Sequence, residues 1–266
     1  MSLHVDHYPY AGPGSSGSPL LLIHGWGMHS GMWGSVAELL AQHFDVYAVD
    51  LPGHGYSKAG KGEEPVSPVT LDGIVDRLSA QFAEPLTVCG WSLGGQVAMR
   101  WALRHPQQVE RMVLVASTPC FVRLDDWRYA LSVEILEEFA VNLQQNYAQT
   151  LIRFLTLQMR GSDQERAVLS SLREKLFVRG FPDLNALESG LDILRDSDLR
   201  SALPDVQQPV LVLAGERDTL IPYQATKYLA ERLANGRLVT IKGAAHAPFL
   251  SHSDEFVAEI ISFTGS

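Results

Sequence analysis

Cysteine is almost absent from this chain: Cys89 and Cys120 are the two thiols in 266 residues. That number excludes a disulfide framework, and a reducing cytoplasm is the expected setting. Long apolar runs are also missing. No stretch approaches the roughly twenty consecutive apolar residues that span a bilayer, and the first twenty residues mix acid, histidine, proline and glycine where a secretory leader needs an unbroken apolar core. No membrane association is expected. Positive charge is in short supply, since 21 Lys and Arg stand against 30 Asp and Glu, a formal net charge of −9. That balance argues against broad binding to nucleic acid or anionic lipid. Neither cysteine has a histidine or carboxylate nearby at ligand spacing, and there is no Walker-type or G-x-G-x-x-G phosphate loop. The reading therefore implies no metal and no cofactor.

What is present is the balance of a folding, water-facing chain, 46% hydrophobic and 19% charged, long enough for one large domain with an insertion. Short Val-, Leu- and Ile-rich runs at 20–23, 46–49, 86–89, 112–115, 210–213 and 238–241 read as buried parallel strands. Amphipathic stretches at 32–43, 71–82, 95–105 and 224–234 lie between them as crossover helices. The alternation predicts a mostly parallel, doubly wound α/β sheet. It fails from about Pro119 to Asp196, where Leu131, Ile135, Leu136, Phe139 and Leu143 keep helical spacing with no strand between them. We expect a core over 1–118 and 197–266 and an inserted helical cap over 119–196. Residues 58–68, KAGKGEEPVSP, have no period and read as an exposed loop.

Gly90-Trp91-Ser92-Leu93-Gly94 matches G-x-S-x-G where the 86–89 strand gives way to a helix. A nucleophile on so sharp a turn strains its backbone, and flanking side chains would collide with neighbouring elements. A serine hydroxyl needs a base to take its proton as it attacks. Among nine histidines chain order favours His246, past the last strand, over His252 at the start of the terminal helix. The carboxylate that orients the histidine is sought after the 210–213 strand, where Asp218 is preferred and Glu216 is the alternative. Oxyanion donors are expected from the N–H of Leu93 and, in the His24-Gly-Trp-Gly27 loop, of Trp26. His24 reads as a loop-holding residue, and the Asp50-Leu-Pro-Gly-His-Gly-Tyr-Ser57 turn as architecture.

Taken together, Leu22-Ile-His-Gly-Trp-Gly27, Asp50-Leu-Pro-Gly-His-Gly55, Cys89-Gly-Trp-Ser-Leu-Gly-Gly95, Phe154-Leu-Thr-Leu-Gln158 and Ala245-His-Ala-Pro-Phe249 resemble the carboxylesterases of biotin synthesis that hydrolyse pimeloyl-[acyl-carrier protein] methyl ester, a family of α/β-hydrolases. The resemblance implies catalysis by Ser92, Asp218 and His246. It also implies a substrate site lined by Trp26, Leu93, Phe154, Leu155, Thr156, Leu157 and Gln158, with an acyl-carrier protein as partner. Small esters would be side substrates, and a monomer is expected. Residues 150–180 hold six bases against three acids, and Arg166 and Arg173, seven apart, would share a helix face. With Arg153 they are the candidate docking residues for an acidic carrier, the alternative being a merely solvated face. Gln149 and Ser170 stand where further docking arginines would align. Other readings on the same fold are a general short-chain carboxylesterase, a lactone or carbon–carbon hydrolase, and a slow-turnover ligand receptor.

Overall fold

The computed structural model describes residues 2–13, 17–58 and 69–265; most of the loop read at 58–68 lies outside them. Seven strands form one sheet: β1 (Val5–Tyr8), β2 (Ser18–Ile23), β3 (Phe44–Val49), β4 (Leu86–Trp91), β5 (Val109–Val115), β6 (Val210–Gly215) and β7 (Gly236–Ile241). Their order is β1-β3-β2-β4-β5-β6-β7, with β1 antiparallel to β3 and every other pair parallel. β4 and β6 are buried at every position, as strands covered on both faces by helices must be. β1 was not expected from the sequence. Its four residues, Val-Asp-His-Tyr, are half-buried or exposed along the sheet edge, so they carry no continuous apolar run.

The helices are α1 (Ser35–Leu40), α2 (Leu71–Gln81), α3 (Leu93–Arg104), α4 (Val133–Met159), α5 (Glu165–Leu176), α6 (Leu184–Asp196), α7 (Tyr223–Arg232), α8 (Pro248–Ser251) and α9 (Ser253–Thr264). The amphipathic stretch at 32–43 yields only the short α1, preceded by a 3-10 turn at Ser30–Met32. Thr70 caps α2 by accepting the Gly73 N–H at 3.0 Å.

Between β5 and β6 the chain leaves the sheet and returns. The two ends of this excursion meet, since Cys120 pairs with Asp198 and the Leu199 N–H donates to the Pro119 carbonyl at 2.9 Å. The excursion carries α4, α5 and α6. In α4, Leu136, Phe139 and Leu143 are buried as their spacing predicts, whereas Ile135 faces solvent and Leu131 lies ahead of the helix.

β2 and β4 are neighbours although β3 separates them in sequence. Crossovers therefore run in opposite directions on either side of this boundary. Loops leaving the carboxyl ends of β2 and β4 diverge there, and a crevice opens where such sheets place their sites.

Candidate active site

Ser92 stands at the carboxyl end of β4 with φ 57°, a left-handed backbone that costs a non-glycine residue about 1–3 kcal/mol. Neighbours hold it there. Its N–H donates to the Val115 carbonyl at 2.9 Å, and the Ser117 hydroxyl donates to its carbonyl at 2.8 Å. The flanking glycines have steric reasons: a Cβ on Gly90 would strike the Gly94 backbone, and one on Gly94 the Ile23 carbonyl. α3 starts at the next residue, so the Leu93 N–H has no acceptor within the helix.

His246 lies in the loop after β7. Its ring Nδ1 is 2.8 Å from Asp218 Oδ2, and both side chains are about 1% exposed. Asp218 Oδ1 accepts the N–H groups of Leu220 and Ile221 at 2.9 and 3.0 Å, so both carboxylate oxygens are fixed. With the carboxylate as acceptor the proton belongs on Nδ1, and Nε2 keeps its lone pair. Nε2 is buried and has no hydrogen-bond partner among the described residues. The histidine backbone is pinned as well: its N–H donates to the Gln158 carbonyl at 3.0 Å, and its carbonyl accepts from Trp91 Nε1 at 2.9 Å. Glu216 instead accepts the Gly243 N–H at 3.0 Å, and His252 stands at the N-cap position of α9 without a side-chain cap bond, its Nδ1 2.8 Å from the Ser251 hydroxyl.

The loop after β2 closes the other side. A Cβ on Gly25 would sit 3.2 Å from Ser92 Cβ, so any side chain here would crowd the serine and push the loop back by a few tenths of an ångström. Trp26 follows, with its Nε1 donating to the Leu187 carbonyl at 2.8 Å and its ring edge-on to Phe154 at 5.0 Å. His24 holds the loop through Nδ1 to the Gly25 carbonyl and by accepting the Leu51 N–H at Nε2. Burial pushes its pKa well below that of a free histidine, keeping it neutral. Cys120 is buried, its thiol pushed up to about 11 chiefly by that burial.

Above Ser92 lies a closed apolar cavity, with Trp26, Phe121, Phe139, Phe154, Leu191 and Leu220 in its wall. Its open space of about 10 Å³ is the room of one water. Among the described residues, no charged side chain lines it. Of the Phe154–Gln158 segment, Phe154 alone is in the wall; Leu155 is core, Leu157 is half-buried against it, and the Thr156 hydroxyl donates to the Ile152 carbonyl. Trp26 stands in the wall as the resemblance implies, whereas Phe121, Phe139, Leu191 and Leu220 were not marked as site residues in the sequence, because apolar residues at helical spacing look alike whether they pack or line a cavity. Arg153, Arg166 and Arg173 are all exposed; Arg153 pairs with Glu138 at 3.2 Å and Arg173 donates to the Thr156 hydroxyl at 3.3 Å. Arg179, one of the six bases of residues 150–180, turns inward to Asp6 and Asp50.

Two curated relatives match nearly the whole chain. The pimeloyl-[acyl-carrier protein] methyl ester esterase of Nitrosomonas europaea is 46% identical over 91% of this chain and 94% of its own length. The protein of the same name from Nitrosospira multiformis is 41% identical over 93% and 94%. A family model described as the alpha/beta hydrolase fold matches residues 18–253. The chain belongs to this esterase family of α/β-hydrolases. Solved α/β-hydrolase structures share the fold at lower identity: a bromoperoxidase from Bacillus anthracis superposes with a TM-score of 0.87 at 20% identity, covering 99% of this α/β-hydrolase and 95% of that chain. An enol-lactonase from Burkholderia xenovorans gives 0.82 at 24%, covering 99% and 96%. Among the described residues, no helix of this esterase is long and apolar enough to cross a membrane, and no group of three or more His, Cys, Asp or Glu could hold a metal ion.

Proposed function

We propose that this enzyme hydrolyses the methyl ester of pimeloyl-[acyl-carrier protein] in the cytoplasm, as a step of biotin synthesis, with Ser92 as nucleophile, His246 as general base and Asp218 as the residue that orients it. The observation that carries the reading is the apolar cavity bounded by Ser92. Once its walls move apart, a neutral methyl ester at the end of an aliphatic chain can be buried there, whereas the carboxylate left by its hydrolysis would be desolvated without a partner and is expelled. The reaction thus proceeds from a group the cavity accepts to one it rejects.

In the first step Ser92 Oγ attacks the ester carbonyl while His246 Nε2 takes its proton, and Asp218 stabilises the imidazolium that forms. The N–H groups of Leu93 and Trp26 receive the oxyanion. His246 then protonates the departing methoxide, releasing methanol. Water activated by the same nitrogen resolves the acyl-enzyme. The cavity holds about one water, too little for a seven-carbon acyl chain, so α4 and α6 must shift to admit it and act as a cap. Arg153, Arg166 and Arg173 form the docking face for the acidic carrier, and their attraction steers encounter in a salt-dependent way.

The test compares kcat/KM for the carrier-bound methyl ester with that for dimethyl pimelate at low and moderate salt. A salt-sensitive preference for the carrier-bound ester is expected; equal values would leave a general esterase. Changing Arg166 and Arg173 to Glu should raise KM for the carrier-bound ester alone.

A further inference from the structure

Three segments meet at Asp218 and His246, and the hydrogen bonds between them close a triangle. The loop after β6 carries Asp218, the loop after β7 carries His246, and α4 ends in a turn that reaches Asp163. The two loops are joined to each other: the Arg217 N–H donates to the Ala244 carbonyl at 2.8 Å, and the Glu216 carboxylate accepts the Gly243 N–H at 3.0 Å. The histidine loop is joined to the end of α4, since the His246 N–H donates to the Gln158 carbonyl at 3.0 Å and the Asp163 N–H to the Gly243 carbonyl at 3.1 Å. Among the described residues, one side chain makes the hydrogen bonds of the third edge. Arg217 Nη1 donates to the Gly161 carbonyl at 3.0 Å and to the Asp163 carboxylate.

The side chains of Arg217 and Asp163 are 46% and 56% exposed, and an ion pair so open to water adds little to stability. Its place in the fold matters more than its energy. Arg217 precedes Asp218, and its backbone is bonded two residues before His246. Without its side-chain bonds the acid loop would lose its direct anchor on α4, and the 2.8 Å contact between Asp218 Oδ2 and His246 Nδ1 would depend on the two loops alone. α4 itself is interrupted at Asn146, which leaves helical geometry at φ −156° and ψ 78°. The half before this break carries Leu136 and Phe139 of the cavity wall, and the half after it ends on the triangle. The front of the cap can therefore shift without pulling on His246.

We propose that Arg217 is a positioning residue for ester hydrolysis: through Gly161 and Asp163 it fixes the acid loop to the end of α4, so that Asp218 and His246 stay in register while the front of the cap moves. It acts through the loop and not on the substrate. This rests on the assignment of Ser92, Asp218 and His246 as the catalytic groups and is independent of which ester is the natural substrate.

The experiment measures hydrolysis of methyl acetate and dimethyl pimelate by Arg217→Met, Arg217→Lys and Asp163→Asn, with the thermal midpoint of each variant. An ångström of misplacement at a catalytic site costs about a hundredfold in rate, so a smaller slip in Arg217→Met should lower kcat about tenfold for both esters, with KM and the midpoint unchanged. Arg217→Lys should restore most of kcat, because lysine carries three donors on one nitrogen and Nη1 alone makes both bonds. Asp163→Asn should reproduce part of the loss and keeps the test available if Arg217→Met folds poorly. In the proton NMR spectrum the low-field resonance of the His246 Nδ1–H should broaden in Arg217→Met, a change that loss of a surface ion pair alone would not produce. An unchanged kcat, a shift confined to KM, or a lower midpoint with kcat per folded molecule intact overturns the proposal. Activity lost in Ser92→Ala but kept in Arg217→Met strikes the role of Arg217 alone, whereas activity kept in Ser92→Ala strikes the catalytic assignment on which it rests.

Discussion

At Ser92 the backbone strain and the proposed chemistry have one cause, because a sharp strand-to-helix turn presents the hydroxyl to the crevice in the left-handed conformation. Ser92→Ala should abolish ester hydrolysis and leave the fold intact, checked by methanol release and by the thermal midpoint. Asp218 and Glu216 are two residues apart and do different work: one fixes the His246 ring and the other the Gly243 N–H. Asp218→Asn should lower kcat by about four orders of magnitude, as expected when the imidazole takes the wrong tautomer. Glu216→Gln should change kcat less than tenfold, and a larger loss there would reopen the choice of orienting carboxylate. Spacing after the 210–213 strand favours Asp218 over Glu216, and in the fold it is the Asp218 carboxylate that meets the His246 ring while Glu216 points to the Gly243 N–H.

Among the elements, the link between α5 and α6 is tied to the sheet by a buried charge cluster. Arg179 donates to Asp6 at 2.6 Å and to Asp50 at 3.2 Å, and Asp50 also accepts from the Ser30 N–H, the Ser30 hydroxyl and the Tyr56 N–H. Burial opposes ionisation of Asp50, but the field of His24 where that ring is protonated, at low pH, and the hydrogen bonds from Tyr56 and Ser30 outweigh it and hold the carboxyl below its ordinary range. Arg179→Met should cost roughly 3 to 5 kcal/mol in urea unfolding, because it leaves a buried carboxylate without its cation. Adding Asp50→Asn should recover part of that loss. Full additivity of the two single changes would show that the groups are not coupled. The turn after α4 has its own tie, since Arg217 pairs with Asp163 and the Asp163 N–H donates to the Gly243 carbonyl. The shift proposed for α4 and α6 would carry Phe139, which lines the cavity over Ser92, so Phe139→Ala should lower KM for long-chain esters relative to methyl acetate.

For the whole molecule, three buried histidines set the acid limit of stability. Burial lowers the pKa of His24 and of His29, and that of His54 to about 4, against 6.5 when free. The unfolded chain therefore binds these protons first. Stability is complete above about pH 6.5 and falls as the pH drops through that value. Each histidine contributes up to roughly 1.4 kcal/mol per pH unit. Asp6 and Asp50, whose values are lowered from 3.8, add their loss only below about pH 4. Urea unfolding at pH 8, 7, 6 and 5 should show the decline beginning near 6.5, with a shallower slope in His54→Gln. A flat profile down to pH 5 would contradict the burial argument.

Local order was legible in the sequence because local sterics create it. The glycines around Ser92, the apolar runs of β2 to β7 and the helical spacing of α4 each reflect contacts within a few residues or the demand of a doubly covered sheet. β1 escaped notice because four half-exposed residues at an edge need no distinctive pattern. The tertiary structure alone decided that Phe139 lines both a groove along α4 and the cavity over Ser92, that α4 breaks at Asn146, and that Arg179 faces Asp6 and Asp50 instead of solvent. A charge or an aromatic ring has the same spacing in the chain whether it meets water, a partner or a residue 173 positions away. Its surroundings, which set its energy and its use, exist only once the chain has folded.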